Sequence, residues 1–558
     1  MAGFDGREFD VIVVGAGVNG TGVARDAAMR GLKVLLLDKR DICSGATGTC
    51  SGMIHGGIRY MLNDLKVTKL SCLDSGYIQK IAPHMLFRIP FLMAIPGKGT
   101  LPRKVFLELT EVFMEAYDKY QPLKNGMKHT RLSPEEAIRL EPGLRRDITG
   151  AVTFDEWGID VFRLCAMNAK SAEEHGAVVR NYTEVLSLMR DGESVTGVVC
   201  RDFLSGERLE FRGRLVVNVT GPWSAAFSKR IGVEVKLRPA KGVHLIYGRR
   251  ICNNAITATA VDGRQIFLCP HQKGTILGTT DDDYYGDMDN VTATQDDVNY
   301  LQQGIESVFP DIRKHRAIRT MAGVRPTLYE DQKYEDNLTR EHLVFDHEAR
   351  EGVRGLVSMA GGKLASYRIM SQDCTDLICK KLGAGTACTT HLEPLPGGDA
   401  LPDTAELSRQ YGVPEYAVDR MVFRHGSRAL AILEMIRAEP RMGDFICRCD
   451  PVTEAELRHC IRNEWVRRLS DLRRRTRLAT GPCQGTRCAL RAAAVMADEL
   501  KLNSAEMYAQ AFTLLEDRWE GIRPVLTGAQ MQQEEMRAAS LFGVGRLQDL
   551  MQKGEDTP

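Results

Sequence analysis

The stretch FDVIVVGAGVNGTGVARDAAMRGLKVLLLDKRD, residues 9–41, leaves a chain few ways to fold. Val11 to Val14 form an unbroken apolar run of the kind buried on both faces of a parallel sheet. Gly15, Gly17 and Gly20 follow as G-x-G-x-x-G, where the strand gives way to a helix. The first glycine permits a tight turn, the second a close approach of backbone to pyrophosphate, and the third close packing of helix on strand. The helix start then offers oriented N–H groups to phosphate charge. The next strand, KVLLLD, ends in Asp38, the acid expected for a ribose hydroxyl. Together these features predict a dinucleotide site opening an α/β domain. They leave NAD and FAD both open.

A chain of 558 residues is too long for one core, so two or three domains are expected. Its 74 Lys+Arg nearly cancel 73 Asp+Glu, which excludes a global field for nucleic acid or anionic lipid. No apolar run approaches the length of a membrane span, and the opening MAGFDGREFD lacks the features of a secretion signal. The expected location is cytoplasmic, with any membrane association made through a partner. Fifteen cysteines are then expected to be reduced, metal-bound or simply buried.

Three later segments are rich in glycine and small residues. SGATGTCSGMIHGGIRYM (44–61) carries Thr47 and Ser51. A β-meander over 178–224, with turns at Asp191-Gly192 and Ser205-Gly206, leads to Thr220-Gly221. GLVSMAGGKLASYRIM (355–370) sets Gly361-Gly362 between a strand and a helix. These resemble the flavin-contacting segments of FAD-dependent glycerol-3-phosphate dehydrogenases. RPAKGVHLIYG, GTILGTTDDDYYGD, TMAGVRPTLYEDQ and NLTREHLVFDH are similar, in order and spacing, to the substrate half of the same family. The resemblance spans about residues 8 to 395.

That resemblance implies FAD, contacted by Gly15, Gly17, Gly20, Asp38, Thr47, Ser51, Thr220, Gly221, Gly361, Gly362 and Lys363. It also implies an anion site built from Arg59, Arg325, Arg340 and Lys363, with hydroxyls from Tyr60 and Thr280. The residue types suit the chemistry, because a phosphate monoester needs fixed cationic donors and arginine supplies a planar fork. Arg325, His244 and Arg340 are the catalytic candidates. Imidazole titrates near neutrality and so suits acid–base work; whether Arg325 or His244 receives the substrate's proton stays open.

After LEPLPGGDALPD (392–403), rich in Pro and Gly, a helical segment to residue 440 leads to Cys447, Cys449, Cys483 and Cys488. The pattern is C-x-C, 33 residues, C-x4-C. Four thiolates in loops suit zinc or an iron–sulfur centre, although structural zinc usually takes C-x2–4-C pairs. The pattern resembles the [2Fe–2S] domain of bacterioferritin-associated ferredoxin, with a wider second pair. That wider pair, and the tail LLEDRWEGIRPVLTGAQMQQEEMRAASLF, are similar to the large subunits of anaerobic glycerol-3-phosphate dehydrogenases. Thr453 and Glu456 predict a capping box. The eleven other cysteines read as ordinary residues. The run WVRRLSDLRRRTR is expected to offset cluster charge or to face a partner protein.

The expected fold is therefore α/β: a Rossmann-like FAD-binding domain interleaved with an antiparallel-sheet substrate domain (1–395), a linker and helical segment (396–440), a small helical [2Fe–2S]-binding domain (441–500) and a helical tail (501–558). The resemblance implies oxidation of sn-glycerol 3-phosphate to dihydroxyacetone phosphate, with electrons passing through the cluster to a quinone. It further implies two partners, a second flavoprotein subunit plus a membrane-docking iron–sulfur subunit, which would hold the chain at the cytoplasmic face. Two rivals stand beside it: a flavin-dependent amine or amino-acid dehydrogenase, which needs a carboxylate clamp but not four cations, and a non-catalytic electron-transfer subunit.

Overall fold

The computed structural model describes residues 8–61, 64–97, 100–329 and 341–552. The strand Glu8–Val14, the helix Val18–Met29 and the strand Val34–Leu37 form the expected opening unit. The two strands pair in parallel, with Val11 opposite Val34 and Val14 opposite Leu37. On the other side of the first strand lies Arg208–Asn218, also parallel, with Val13 opposite Val217. Leu356–Gly361 continues the sheet beyond it. Helices Val18–Met29, Val161–Glu174 and Tyr367–Leu382 close over one face through Val23, Ala27, Leu164 and Met370, all buried. The meander appears as antiparallel strands Thr183–Asp191, Ser194–Asp202 and Arg208–Asn218, turning where the Gly dipeptides stand.

A second sheet, of nine strands and mostly antiparallel, carries the substrate half. Its longest pairing sets Leu237–Tyr247 against Ala317–Leu328, with Ala240 opposite Arg325 and His244 opposite Met321. The strands Leu86–Pro96 and Ile148–Ile159 pair over nearly their full length and form its other wing. The two sheets come from interleaved stretches of chain, as the α/β expectation required, and the clefts described below lie between them.

The C-terminal part is helical around its own core of Leu457, Leu472, Ala492, Met496 and Leu514. The arginine run corrects an expectation. Rather than facing a partner, Arg475 is fully buried and grips Asp41 at 2.7 and 3.0 Å. Arg474 reaches the same carboxylate at 3.2 Å, and Arg477 reaches Asp160 at 2.7 Å. The run fastens the C-terminal helices onto the dinucleotide domain, where the buried acids of that domain supply the charge it needs. A further pair, Arg163–Glu464 at 2.6 Å, reinforces the junction. Among the described residues no helix is long and apolar enough to cross a membrane.

Candidate functional site

The glycine turn is built as its residue types require. Gly15 has φ +109°, and a Cβ at Gly20 would collide with the Gly15 carbonyl oxygen. No side chain caps the helix at Gly17; the Val18 N–H instead meets Thr47 Oγ1 at 3.2 Å. Val219 and Thr220 press against Gly15 from behind, so Thr220-Gly221 approaches at the phosphate turn. The Thr220 hydroxyl donates to Asn218 at 2.8 Å. Asp38 accepts the Ala16 N–H at 2.6 Å and the Arg40 N–H at 2.8 Å, and burial pushes its carboxyl up to about 6. It braces the turn as well as standing at the ribose position.

From this turn opens a cavity of about 530 Å³ between the two sheets. Thr47, Ser51, Gly361, Gly362 and Lys363 line it together with His244, Arg325 and Tyr60. Gly361 and Gly362 have φ +81° and +76°, so the chain swings round the end of the strand Leu356–Gly361 without side chains in the cleft. Lys363 Nζ lies 3.3 Å from the Gly56 carbonyl and 5.1 Å from the centre of the Tyr60 ring. Arg325 is held by Asp281 at 3.1 Å and by Thr279 Oγ1 at 2.8 Å.

Thr280 needs correcting. Its hydroxyl accepts the Val243 N–H at 3.1 Å and is buried within the sheet, so Thr279 takes the cavity position beside Arg325. Arg340 lies among residues 330–340, outside the described residues, and of Arg59 only the backbone, in the turn Ile58–Tyr60, is described. Sequence reasoning missed Arg264, His55 and Glu156, which also line the cavity. His55 stands next to the Gly56-Gly57 pair and was the readable one. Glu156 sits in an alternating strand with no local mark of its role.

His244 is 3% exposed, and neither ring nitrogen has a hydrogen-bond partner. Burial, with Arg325 and His271 nearby, holds it down to about 3, so it is a neutral imidazole at physiological pH. Such a ring can accept a proton from a substrate hydroxyl and carries no charge to compete with the arginine.

The four cysteines converge although 33 residues separate the pairs. Cys447 ends the strand Phe445–Cys447, Cys449 follows in the turn, and Cys488 caps the helix Ala489–Leu500. Cys449 and Cys483 sulfurs are 3.6 Å apart. Cys488 hydrogen-bonds Cys447 and Cys483, pulling Cys447 down to about 6 and Cys483 to about 5, with backbone N–H groups of Asp450, Ala479 and Gly485 adding to the effect. Backbone donors aimed at thiolates, in a half-buried setting, are the donor set an iron–sulfur or zinc centre uses. The capping box is only half present: Thr453 accepts the Glu456 N–H at 3.2 Å, but the Glu456 carboxylate turns inward to Arg424 at 2.6 Å. A buried guanidinium, fully charged and able to donate twice, outbids the Thr453 backbone N–H for that charge. His425, His459 and Glu464 also bring ligand-type atoms within 4.8 Å of one another. There Glu464 is taken by Arg163, and His425 lies 3.0 Å from Glu456, so the cation in that cluster is a guanidinium.

Fold and cavity together define an FAD-dependent oxidoreductase. Residues 10–368 match the family described as FAD dependent oxidoreductase, and 388–507 match the C-terminal domain of alpha-glycerophosphate oxidase. A subunit of the anaerobic glycerol-3-phosphate dehydrogenase of Haemophilus influenzae is 34% identical over 98% of this chain and 96% of its own length. The Escherichia coli K12 subunit of the same name is 33% identical over 95% and 96%. The glycerol-3-phosphate dehydrogenase of Bacillus halodurans, solved with FAD, superposes with TM-score 0.73 over 94% of this chain and 97% of its own, at 24% identity. The chain belongs to the glycerol-3-phosphate dehydrogenases, in the group that these two anaerobic-enzyme subunits represent.

Proposed function

We propose that the chain oxidises sn-glycerol 3-phosphate at C2 to dihydroxyacetone phosphate and passes the electrons through a [2Fe–2S] centre held by Cys447, Cys449, Cys483 and Cys488. The observation that carries the first half is one cavity walled by the flavin-side residues Thr47, Ser51 and Gly361-Gly362 and by the cations Arg325 and Lys363. FAD, when bound, supplies the acceptor for a hydride. The chain's own part is to fix the phosphate with its cations and hold the reacting carbon against that wall. His244 and Arg325 are the two groups placed to receive the hydroxyl proton, the His244 ring being neutral with both nitrogens unpartnered among the described residues. The helix start at Gly17, where the cap residue has no side chain, and the bare glycine turn fit a pyrophosphate.

The second half rests on the four converging thiols and on their position. Cys449 lines a second cavity, and Thr49 and Cys50 line that cavity and the first alike. One loop thus separates the hydride site from the cysteine site. An iron–sulfur centre supplies one-electron transfer, which lets an electron pair leave singly towards a quinone-linked acceptor. The partners this reading calls for are a second flavoprotein subunit plus a membrane-docking iron–sulfur subunit. The test is spectroscopic. Anaerobically purified protein should show flavin and iron–sulfur absorption that bleach on adding glycerol 3-phosphate, and glycerol should do so far more slowly. Bleaching by amino acids in its place would favour the amine-dehydrogenase rival.

A further inference from the structure

The second cavity, about 450 Å³, is wedged between the loop Cys43–Gly52, the substrate sheet and the C-terminal helices. Its cations are unequally paired. Of the cations lining it, Lys273 has Asp450 at 3.4 Å, Arg474 has Asp41 at 3.2 Å and Arg477 has Asp160 at 2.7 Å. Arg319 and Arg473 remain. Arg319 makes no hydrogen bond or ion pair among the described residues, and its guanidinium lies against the Gly521 backbone. Arg473, its side chain 19% exposed, has Asp517 at 4.0 Å, at the limit of an ion pair. Glu520 lines the same cavity but is exposed to solvent. Two guanidiniums thus share the cleft with two carboxylates, Asp517 and Glu520, neither of which closes a tight ion pair with them among the described residues. Burial depresses both: Arg473 falls to about 9, with Arg319 the next cause after burial, while Asp517 and Glu520 work against burial at Arg319. The Gln272 side-chain amide, also lining the cavity, has an N–H group with no partner.

From this geometry we infer that the cleft is a binding site for a small phosphate-type oxyanion, clamped between Arg319 of the substrate sheet and Arg473 of the C-terminal helices, with Gln272 donating a third hydrogen bond. Planar forks from two elements suit a phosphate oxygen face better than they suit each other. Because the two arginines belong to different parts of the chain, the bound anion bridges them and braces the cysteine-bearing helices against the substrate sheet. The site is separate from the substrate cations Arg325 and Lys363, and it stands or falls independently of the reaction proposed above.

The test uses the full-length holoprotein with inorganic phosphate as probe, read as a rise in melting temperature and by equilibrium titration. Phosphate also competes for the substrate site, so the titration is repeated in Arg325→Ala. Phosphate stabilisation that persists in Arg325→Ala, and weakens at least ~10-fold in apparent affinity in Arg319→Gln and in Arg473→Gln, is the expected result. In those two variants flavin reduction by saturating glycerol 3-phosphate should stay near the wild-type rate. Arg473→Lys, which keeps the charge but loses the fork, should fall between. If the phosphate effect vanishes in Arg325→Ala, or survives unchanged in Arg319→Gln,Arg473→Gln, the proposal is overturned. Arg473→Lys, the mildest of the changes, carries the assignment to this cleft should the glutamine variants fail to fold. Repeating the Arg325→Ala arm with glycerol 3-phosphate shows whether the site prefers free phosphate or a phosphate ester.

Discussion

Lys124 donates to Glu156 at 2.5 Å with both side chains sealed from solvent, at the wall of the first cavity. The same carboxylate accepts the Tyr117 hydroxyl at 2.6 Å and the Gly56 N–H at 3.1 Å. Gly56 carries the carbonyl that Lys363 touches, so the buried pair fixes the loop on which the Lys363 side chain rests. Removing one partner leaves a buried charge uncompensated, which costs roughly 3–5 kcal/mol. Glu156→Gln and Lys124→Met should each lower stability by that order in urea denaturation. The double variant should lose clearly less than the sum, because the uncompensated charge is then gone. Additive losses would show that the two groups are not coupled.

Arg325 is held by Asp281 and Thr279 before any substrate arrives, so it is positioned in advance. Arg325→Ala removes a charge-assisted contact worth roughly 1.5–3 kcal/mol, and kcat/KM for glycerol 3-phosphate should fall about ten- to a hundredfold. The rate with glycerol, which offers no anion, should hardly change. Equal losses with both substrates would mean that Arg325 acts on the reacting centre and not on the phosphate.

His84 is 5% exposed, and both ring nitrogens lack partners. Burial, with Arg163 adding to it, lowers it to about 3 from an ordinary 6.5. Between those values the unfolded chain holds a proton that the folded chain does not, so stability rises with pH across the window and is lost as pH falls from 6.5 towards 3. One such group contributes a slope of ~1.4 kcal/mol per pH unit. His84→Leu should flatten the stability profile by about that slope between about pH 6 and about pH 4.5, measured by urea denaturation. An unchanged slope would place the acid sensitivity elsewhere, His244 and His425 being the next buried imidazoles held low.

The parts legible in the sequence were those written in short spacings. G-x-G-x-x-G, the two Gly-marked hairpin turns and the paired cysteines each lie within a few residues, and local geometry alone fixes what they can do. Thr280 was misplaced for a local reason: it follows the end of the strand Gly274–Gly278, where strict alternation of faces lapses and neighbouring threonines cannot be told apart. The Lys124–Glu156–Tyr117 group and the Asp41–Arg475 grip join residues up to 434 positions apart. Nothing in either segment marks a charge as buried. An arginine run on a solvated face and one locked onto buried acids read the same until the partner acids are placed.

Cys449 closes the chain of thiols at its more open end, 3.6 Å from Cys483 and on the wall of the second cavity. Cys449→Ser replaces a thiolate by a hydroxyl that binds iron poorly, so metal analysis should show a loss from about two irons per chain. Cys460, buried mid-helix and away from the four, is the control, and Cys460→Ser should keep its iron. Hydride transfer need not suffer, since Arg325, Lys363 and His244 all lie in the other part of the chain. Stopped-flow reduction of flavin by glycerol 3-phosphate should stay near the wild-type rate, while steady-state turnover with a quinone-linked acceptor falls. About one zinc per chain in the wild type, with no visible absorption beyond flavin, would refute the iron–sulfur assignment. If iron is present and both rates fall together in Cys449→Ser, the centre holds the helices in place, and the electrons leave the flavin by another route.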